Sequence, residues 1–188
     1  TNLLIRKGQD HLMVDFGTKA GQAAYELGRR VTDFRAFLIT HSHADHVGGL
    51  EEVALTNRYL THTRPLMYIT PEYQRLLWSS TLRGGCGLNE NPPLSFRDFF
   101  DVERPVLLRG MPRDTYRCDA GSIGIKMFRT GHIPEGARGW KGSTWSTGII
   151  IDDRVMFTSD TRIDRELLES YDRLLHPETI FHDCQLFT

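Results

Sequence analysis

The stretch "AFLITHSHADHVGGLEE", residues 36–52, contains three histidines and one aspartate within six positions. An apolar run precedes these residues, and a pair of glycines follows them. This order predicts a short buried strand, a tight loop and then a helix. Imidazole and carboxylate groups bind borderline-soft divalent metals, and a loop that follows a rigid strand holds them with little entropy to lose. The loop therefore predicts metal ligands at His41, His43, Asp45 and His46. The alternative is that local hydrogen bonds at a strand end satisfy these histidines.

On both sides of this loop, strand patterns alternate with helix patterns. The succession of strand, loop and helix is typical of an α/β layer. Residues 83–100 show no clear period, and we expect a loop with a short helix there. Helices are predicted over 19–30, 48–61, 71–82 and 162–175, and strands or hairpins over 3–17, 34–40, 64–70, 105–110, 115–118, 123–131, 146–161 and 179–187.

Length and composition favour a soluble domain of ordinary type. A chain of 188 residues fits one domain, and no apolar run approaches the length of a membrane span. The net charge of -1 makes a large nucleic acid or an anionic membrane an unfavourable partner. The three cysteines form no C-x-x-C pattern, which argues against a disulfide framework. We therefore expect a cytoplasmic protein. The chain begins at Thr1 without a methionine, so removal of an N-terminal segment stays open.

The loop "THSHADHVGG" resembles the H-x-H-x-D-H signature of the metallo-β-lactamase fold superfamily. Three further stretches resemble landmarks of that superfamily in the same order: "LMVDFG" (12–17), "RTGHIP" (129–134) and "VMFTSDT" (155–161). The resemblance covers the chain from Leu12 to about Phe187. It implies an α/β fold of the metallo-β-lactamase type, a four-layer αββα sandwich with mixed sheets, formed by a single domain over residues 1–188.

The resemblance also implies a dinuclear site with two divalent ions, zinc first, with manganese or iron as alternatives. His41, His43 and His132 would bind one ion. Asp45 and His46 would bind the other, and Asp160 would bridge the two. Asp45 is the residue on which we expect catalysis to depend. Two open alternatives are that His132 is a turn histidine and that Asp160 caps the helix predicted over 162–175.

One ligand of the second ion is missing from this set. Dinuclear members of the superfamily use a further histidine, and at the corresponding distance that residue would lie beyond Thr188. We therefore expect that the chain lacks its natural C-terminal end. The pair His182 and Asp183 resembles a histidine next to an acidic residue that lies outside the direct ligands in related phosphodiesterases. We assign these two residues to hydrogen bonding behind the ligands, with His182 as a ligand the alternative.

The features together favour a metal-dependent hydrolase that uses a hydroxide on the dinuclear centre. They look most like the branch that contains ribonuclease Z and cyclic-nucleotide phosphodiesterases, so we expect a phosphodiesterase for a small, nucleotide-like substrate. The alternatives are a lactone, thioester or β-lactam hydrolase on the same metals and a binding or scaffold protein without activity. Trp140 and Trp145 could stack on a substrate ring or pack in the interior. Residues 79–100 could cover a pocket or form a homodimer seam.

Overall fold

The computed structural model describes residues 2–134 and 136–183. The chain forms two compact units, residues 1–105 and residues 106–188, called here the N-terminal unit and the C-terminal unit. Among the described residues, each unit contains one β-sheet. None of the helices among the described residues has both the length and the apolar character that a bilayer span requires.

The N-terminal unit contains a five-stranded mixed sheet in the order β1-β2-β3-β4-β5. Strands β1 and β2 form an antiparallel hairpin, while β2, β3, β4 and β5 run parallel to one another. The strands are β1 (Leu3–Lys7), β2 (Asp10–Val14), β3 (Ala36–Leu38), β4 (Leu66–Tyr68) and β5 (Asp101–Glu103). The helices are α1 (Ala20–Glu26), α2 (Ala44–Val47), α3 (Leu50–Thr56) and α4 (Pro71–Leu77).

Helices α1, α3 and α4 begin within two residues of their predicted starts, whereas α2 was not predicted. Helix α4 begins where predicted because Pro71 occupies its first turn and the Thr70 side chain accepts a hydrogen bond from the Tyr73 N–H. Both α3 and α4 continue in wider π-type turns, over Asn57–Thr61 and Trp78–Gly87. The loop predicted from residue 83 is therefore wrong up to residue 87. The short helix predicted beyond it is the 3₁₀ turn Phe96–Asp98.

Strand β5 was not predicted. It is three residues long and its two outer residues are exposed, so it shows neither a buried run nor a strict alternation. Its place in the sheet comes from pairing with the buried strand β4.

The C-terminal unit contains a six-stranded mixed sheet in the order β11-β10-β9-β8-β7-β6. Strand β11 runs parallel to β10, and the other neighbours are antiparallel. The elements are β6 (Val106–Leu108), β7 (Thr115–Ala120), β8 (Ile123–Arg129), β9 (Thr147–Ile151), β10 (Val155–Phe157), α5 (Arg165–Leu175) and β11 (Thr179–Phe181). The last strand was predicted over 179–187, and its part from 184 onward, including Cys184, lies outside the described residues. An α/β chain with mixed sheets is confirmed.

Helix α5 packs its apolar face on the sheet of the C-terminal unit. Leu167 and Tyr171 are fully buried in a cluster with residues of β8, β9 and β10. At the first turn, Asp164 accepts a hydrogen bond from the Leu167 N–H (2.9 Å) and one from Arg113 (2.6 Å). The side chain of Arg113 is 4% exposed, so Asp164 compensates a buried positive charge and also caps the helix.

Replacing Asp164 by alanine is expected to destabilise the C-terminal unit by about 3 kcal/mol, because the change removes a cap and leaves a buried guanidinium without its carboxylate. Urea unfolding followed by circular dichroism measures the loss. Asp172→Ala, an exposed carboxylate in the same helix, is the matched control and should unfold close to the wild type. Equal stability of the two variants would contradict this role of Asp164.

Candidate metal centre

In the N-terminal unit the predicted ligands follow the buried strand β3. His41 is fully buried, and His43 is the residue before α2. Asp45 and His46 lie on α2, whose four residues bring the exposed Asp45 next to the buried His46. The loop after a rigid strand and the short helix therefore place all four predicted ligands in one region of the unit.

The donor atoms of these side chains lie close together in pairs. The Nε2 atom of His41 is 3.1 Å from the Nδ1 atom of His43. The Nε2 atom of His46 is 3.1 Å from an oxygen of Asp45. Two nitrogens bound to one zinc at about 2.05 Å and a tetrahedral angle are about 3.3 Å apart. The His41 and His43 nitrogens are therefore spaced as two ligands of one ion would be.

Asp15 at the end of β2 orients these histidines, a role that the sequence did not reveal. One of its oxygens accepts a hydrogen bond from the Thr40 N–H (2.7 Å), and the other lies 2.7 Å from Nδ1 of His46 and accepts a bond from the Thr40 hydroxyl (2.8 Å). Burial raises the pKa of Asp15, while the bonds from His46 and Thr40 act in the opposite direction. Asp15 has a φ of 63°, a backbone conformation that aspartate tolerates better than most residues.

These bonds determine which ring nitrogen carries the proton. A carboxylate can only accept, so the contact with Asp15 places the proton of neutral His46 on Nδ1. The Thr40 hydroxyl donates to Asp15 and can then accept from Nδ1 of His41 at 3.1 Å. The Nε2 lone pairs of His41 and His46 are thus available to a metal, as in carboxylate-histidine-metal arrangements.

Two glycines, Gly17 and Gly48, allow neighbouring backbone segments to pack closely at the ligand helix α2. A Cβ atom on Gly17 would lie 1.8 Å from the carbonyl oxygen of Asp45, and one on Gly48 would lie 2.5 Å from the carbonyl oxygen of Ala44. The segment after Asp15 also pairs with the ligand helix through the bond from the Phe16 N–H to the His46 carbonyl (2.7 Å). A larger residue would therefore clash with the backbone at Gly17 of the "LMVDFG" stretch and at Gly48 of the glycine pair.

A buried tyrosine contacts the loop from α4. The hydroxyl of Tyr73 lies 3.1 Å from that of Ser42, the residue between His41 and His43. Burial raises the pKa of Tyr73 well above its usual value, so the phenol stays protonated. Tyr73 was another residue that sequence reasoning missed, because only the tertiary fold brings it to residue 42.

In the C-terminal unit, His132 and Asp160 come together. His132 follows β8 and Asp160 follows β10, and the distance from His132 Nε2 to the nearer Asp160 oxygen is 3.9 Å. Both side chains are partly exposed, at 19% and 29%. The residue before Asp160, Ser159, has a φ of 52°, so a sharp backbone turn presents the carboxylate. The alternative in which Asp160 caps the next helix is wrong, because Asp164 is the cap.

His182 and Asp183 contact the residues that flank Asp160. Nδ1 of His182 lies 3.0 Å from the Thr158 hydroxyl, and that oxygen also accepts from the Asp183 N–H (3.2 Å). The Asp183 carboxylate accepts from the Thr161 N–H at 3.4 Å. Nε2 of His182 is buried, and no residue within 2–134 and 136–183 hydrogen-bonds to it. These contacts agree with a supporting position, and the assignment of both residues stays a prediction.

The two tryptophans after His132 differ in their surroundings. Trp145 is buried, with its ring against Tyr116 and the Arg129 guanidinium 4.7 Å from its centroid. Its role is packing in the interior. Trp140 is partly exposed and lines a cavity in the C-terminal unit.

Replacing Asp15 by asparagine is expected to weaken metal binding by about 10- to 100-fold, the usual effect of losing a carboxylate behind a histidine ligand. Asparagine keeps the shape and tolerates the positive φ, but it cannot accept as strongly from His46. Titration with zinc in competition with a chelator measures the affinity. Glu72→Gln removes an exposed carboxylate of the same unit and should leave the affinity unchanged; equal affinities in the two variants would refute the role of Asp15.

Solved structures of other proteins show which fold this chain has. The metallo-β-lactamase fold protein YhfI from Bacillus subtilis matches 90% of the chain, with 58% of its own length covered, a TM-score of 0.62 and 14% identity. The short form of human tRNase Z matches 99% of the chain, with 71% of its length covered, a TM-score of 0.60 and 15% identity. The chain has the metallo-β-lactamase fold, and the fold class expected from the sequence is confirmed.

Sequence comparison gives the family. A family model described as Anti-Pycsar protein Apyc1 matches residues 1–188. A protein of that name from Paenibacillus harenae is 35% identical over 187 residues, which is 98% of this chain and 70% of the relative. The chain therefore belongs to the Anti-Pycsar protein Apyc1 family.

Proposed function

We propose that this protein is a metal-dependent phosphodiesterase that acts on a small, nucleotide-like substrate. The observation that carries the proposal is the arrangement behind the histidine loop. Asp15 and Thr40 direct the protons of His46 and His41 to Nδ1, which leaves each Nε2 atom available as a metal ligand. A chain that used these histidines only for local hydrogen bonding would not need a buried carboxylate to fix their orientation.

The proposed ligand set is the one that the resemblance to the superfamily implies. In this proposal His41, His43 and His132 would hold one divalent ion, Asp45 and His46 would hold a second, and Asp160 would be the shared carboxylate. Neutral imidazoles leave the first ion with its full charge, and the carboxylates compensate the second. Nitrogen and carboxylate donors suit zinc, with manganese or iron as alternatives. When bound, two such ions supply Lewis acidity and an activated water for hydrolysis.

Hydrogen bonds within the protein fix the orientation of the proposed histidine ligands. An Asp15 oxygen lies 2.7 Å from Nδ1 of His46 and accepts its hydrogen bond, and the Thr40 hydroxyl contacts both Asp15 and His41. The Tyr73 hydroxyl contacts Ser42 inside the loop. Side chains fixed in this way lose little entropy when the substrate and ions bind.

The substrate class rests on two kinds of support. The H-x-H-x-D-H loop, the "TSDT" element and the "FHDC" stretch look most like the phosphodiesterase branch of the superfamily. The relatives are named Anti-Pycsar protein Apyc1, a name whose prefix describes an antagonist, and a hydrolase can antagonise by degrading its substrate. A net charge of -1 does not favour electrostatic binding of a long RNA, so a nucleotide is the better candidate for the substrate.

Turnover of a substrate panel by the metal-loaded protein tests the proposal. The panel contains bis(p-nitrophenyl) phosphate, 3′,5′-cyclic mononucleotides with each of the four RNA bases, a homoserine lactone and a cephalosporin. We expect hydrolysis of the phosphodiesters, with cyclic nucleotides opened to nucleoside monophosphates, and little turnover of the two carbonyl substrates. Turnover of the lactone or the cephalosporin alone would overturn the phosphodiesterase assignment. Full metal content without turnover of any substrate would favour a binding protein.

A further inference from the structure

We propose that Arg162 is a positioning residue that fixes the loop after His132, and with it the His132 imidazole, relative to Asp160. The inference rests on the proposed function, because it concerns two of the proposed metal ligands. The described hydrogen bonds of the Arg162 side chain go to backbone carbonyls of the loop and not to the side chains of His132 or Asp160. All the residues involved belong to the C-terminal unit.

Arg162 donates three hydrogen bonds to carbonyl groups of this loop. Its backbone N–H donates to the Gly131 carbonyl at 3.0 Å. Its guanidinium donates to the Ala137 carbonyl at 3.1 Å and to the Pro134 carbonyl. Hydrogen bonds from a charged donor are roughly twice as strong as neutral ones. One residue therefore holds the loop at its start and in its middle.

The neighbouring residue Thr161 strengthens the same link. Its hydroxyl donates to the Gly131 carbonyl at 3.2 Å, next to the bond from the Arg162 N–H. Gly131 immediately precedes His132, and Thr161 immediately follows Asp160. A single carbonyl group thus ties together the main chains that carry the two ligands.

The loop borders a cavity of the C-terminal unit. The cavity has a volume of about 270 Å³, and Ala137, Gly139, Trp140 and Arg162 are among its lining residues. The far end of the loop is fixed elsewhere, by the bond from the Thr144 N–H to the Ile133 carbonyl (2.7 Å). The guanidinium therefore acts at the border of a cavity, and its loss should loosen the loop locally without unfolding the unit.

Two measurements on Arg162→Ala test the inference. The first is the rate at which the metal-loaded protein releases its metal to an excess of a chromogenic chelator. The second is hydrogen exchange of backbone amides in peptides covering residues 131–140. We expect release about tenfold faster than in the wild type, in line with other supporting residues of metal sites, and faster exchange in those peptides only.

Matched variants separate positioning from general damage. Arg165→Ala removes an exposed arginine three residues further on and should behave as the wild type. Arg162→Lys keeps the charge but not the planar guanidinium with its several N–H donors. Its rates of metal release and amide exchange should lie between those of the wild type and those of Arg162→Ala. Millimolar methylguanidine should slow metal release from Arg162→Ala, a rescue that a merely destabilised protein would not show.

Wild-type release and exchange rates in Arg162→Ala would overturn the inference. If the wild type held no metal, the proposed function would fail, and the exchange of residues 131–140 would still decide whether Arg162 holds the loop. If the metal content and turnover of the wild type were as proposed but Arg162→Ala were unchanged, only the positioning role would be wrong.

Discussion

Replacing Asp45 by alanine is expected to reduce phosphodiester hydrolysis by at least about 10³-fold while the protein remains folded. In the proposed set Asp45 supplies a carboxylate to the second ion. Stabilisation by a metal is worth several kcal/mol, and each 1.4 kcal/mol or so corresponds to a factor of ten in rate. The side chain is 62% exposed, so its removal leaves no cavity in the core.

The measurement is turnover of bis(p-nitrophenyl) phosphate by metal-loaded wild type and variant, with circular dichroism to compare their folding. Glu52→Ala removes an exposed acidic side chain from the next helix and serves as the control. Its turnover should stay within about twofold of the wild type, since exposed surface changes have small effects. Activity in Asp45→Ala close to that of the wild type would refute the assignment of Asp45.

Replacing Asp160 by asparagine is expected to cause a loss of turnover of the same order and a loss of bound metal. An amide keeps the shape of the side chain but lacks the negative charge that a shared ligand provides. Asp164, and not Asp160, caps α5, so the substitution should leave the stability of the helix unchanged. A fall in activity can then be attributed to the site.

Metal content after desalting and the thermal unfolding midpoint should be measured on the same preparation. Asp172→Asn provides the same change of charge on the exposed face of α5. We expect the unfolding midpoints of both variants to lie near that of the wild type and only Asp160→Asn to lose metal. Retention of the wild-type metal content by Asp160→Asn would exclude it as a shared ligand.

The residues predicted from the sequence are of two kinds, those grouped in one loop and those that match a landmark of the superfamily. His41, His43, Asp45 and His46 lie within six positions, so their grouping did not depend on knowing how the chain folds. His132 and Asp160 were found because each follows a strand and matches a landmark of the superfamily. Their side chains lie 3.9 Å apart in the C-terminal unit, and their role as ligands stays a prediction.

The residues that sequence reasoning missed act through tertiary contacts. Asp15 was noticed as part of an Asp-x-Gly landmark, but its contact with His46 spans 31 positions of the chain. The contact of Tyr73 with Ser42 spans the same separation, and Arg162 reaches the Ala137 carbonyl across 25 positions. Neither periodicity nor a short motif indicates such pairs.

The prediction of secondary structure from the sequence was wrong where the local sequence signals were weak. The π-type turns after α4 run through Gly84, Gly85 and Gly87, a composition that indicates a loop. Strand β5 has no buried face of its own and depends on its neighbour β4. In both places the surrounding fold decided the conformation against the local pattern.

The central claim is that the proposed ligands hold two divalent ions, and metal analysis of the purified protein tests it most directly. The protein would be loaded separately with zinc, manganese and iron(II), desalted and analysed by inductively coupled plasma mass spectrometry. We predict about two ions per chain for at least one of these metals, with loss of both the ions and the turnover after treatment with a chelator. Fewer than about half an equivalent of every metal would contradict the account.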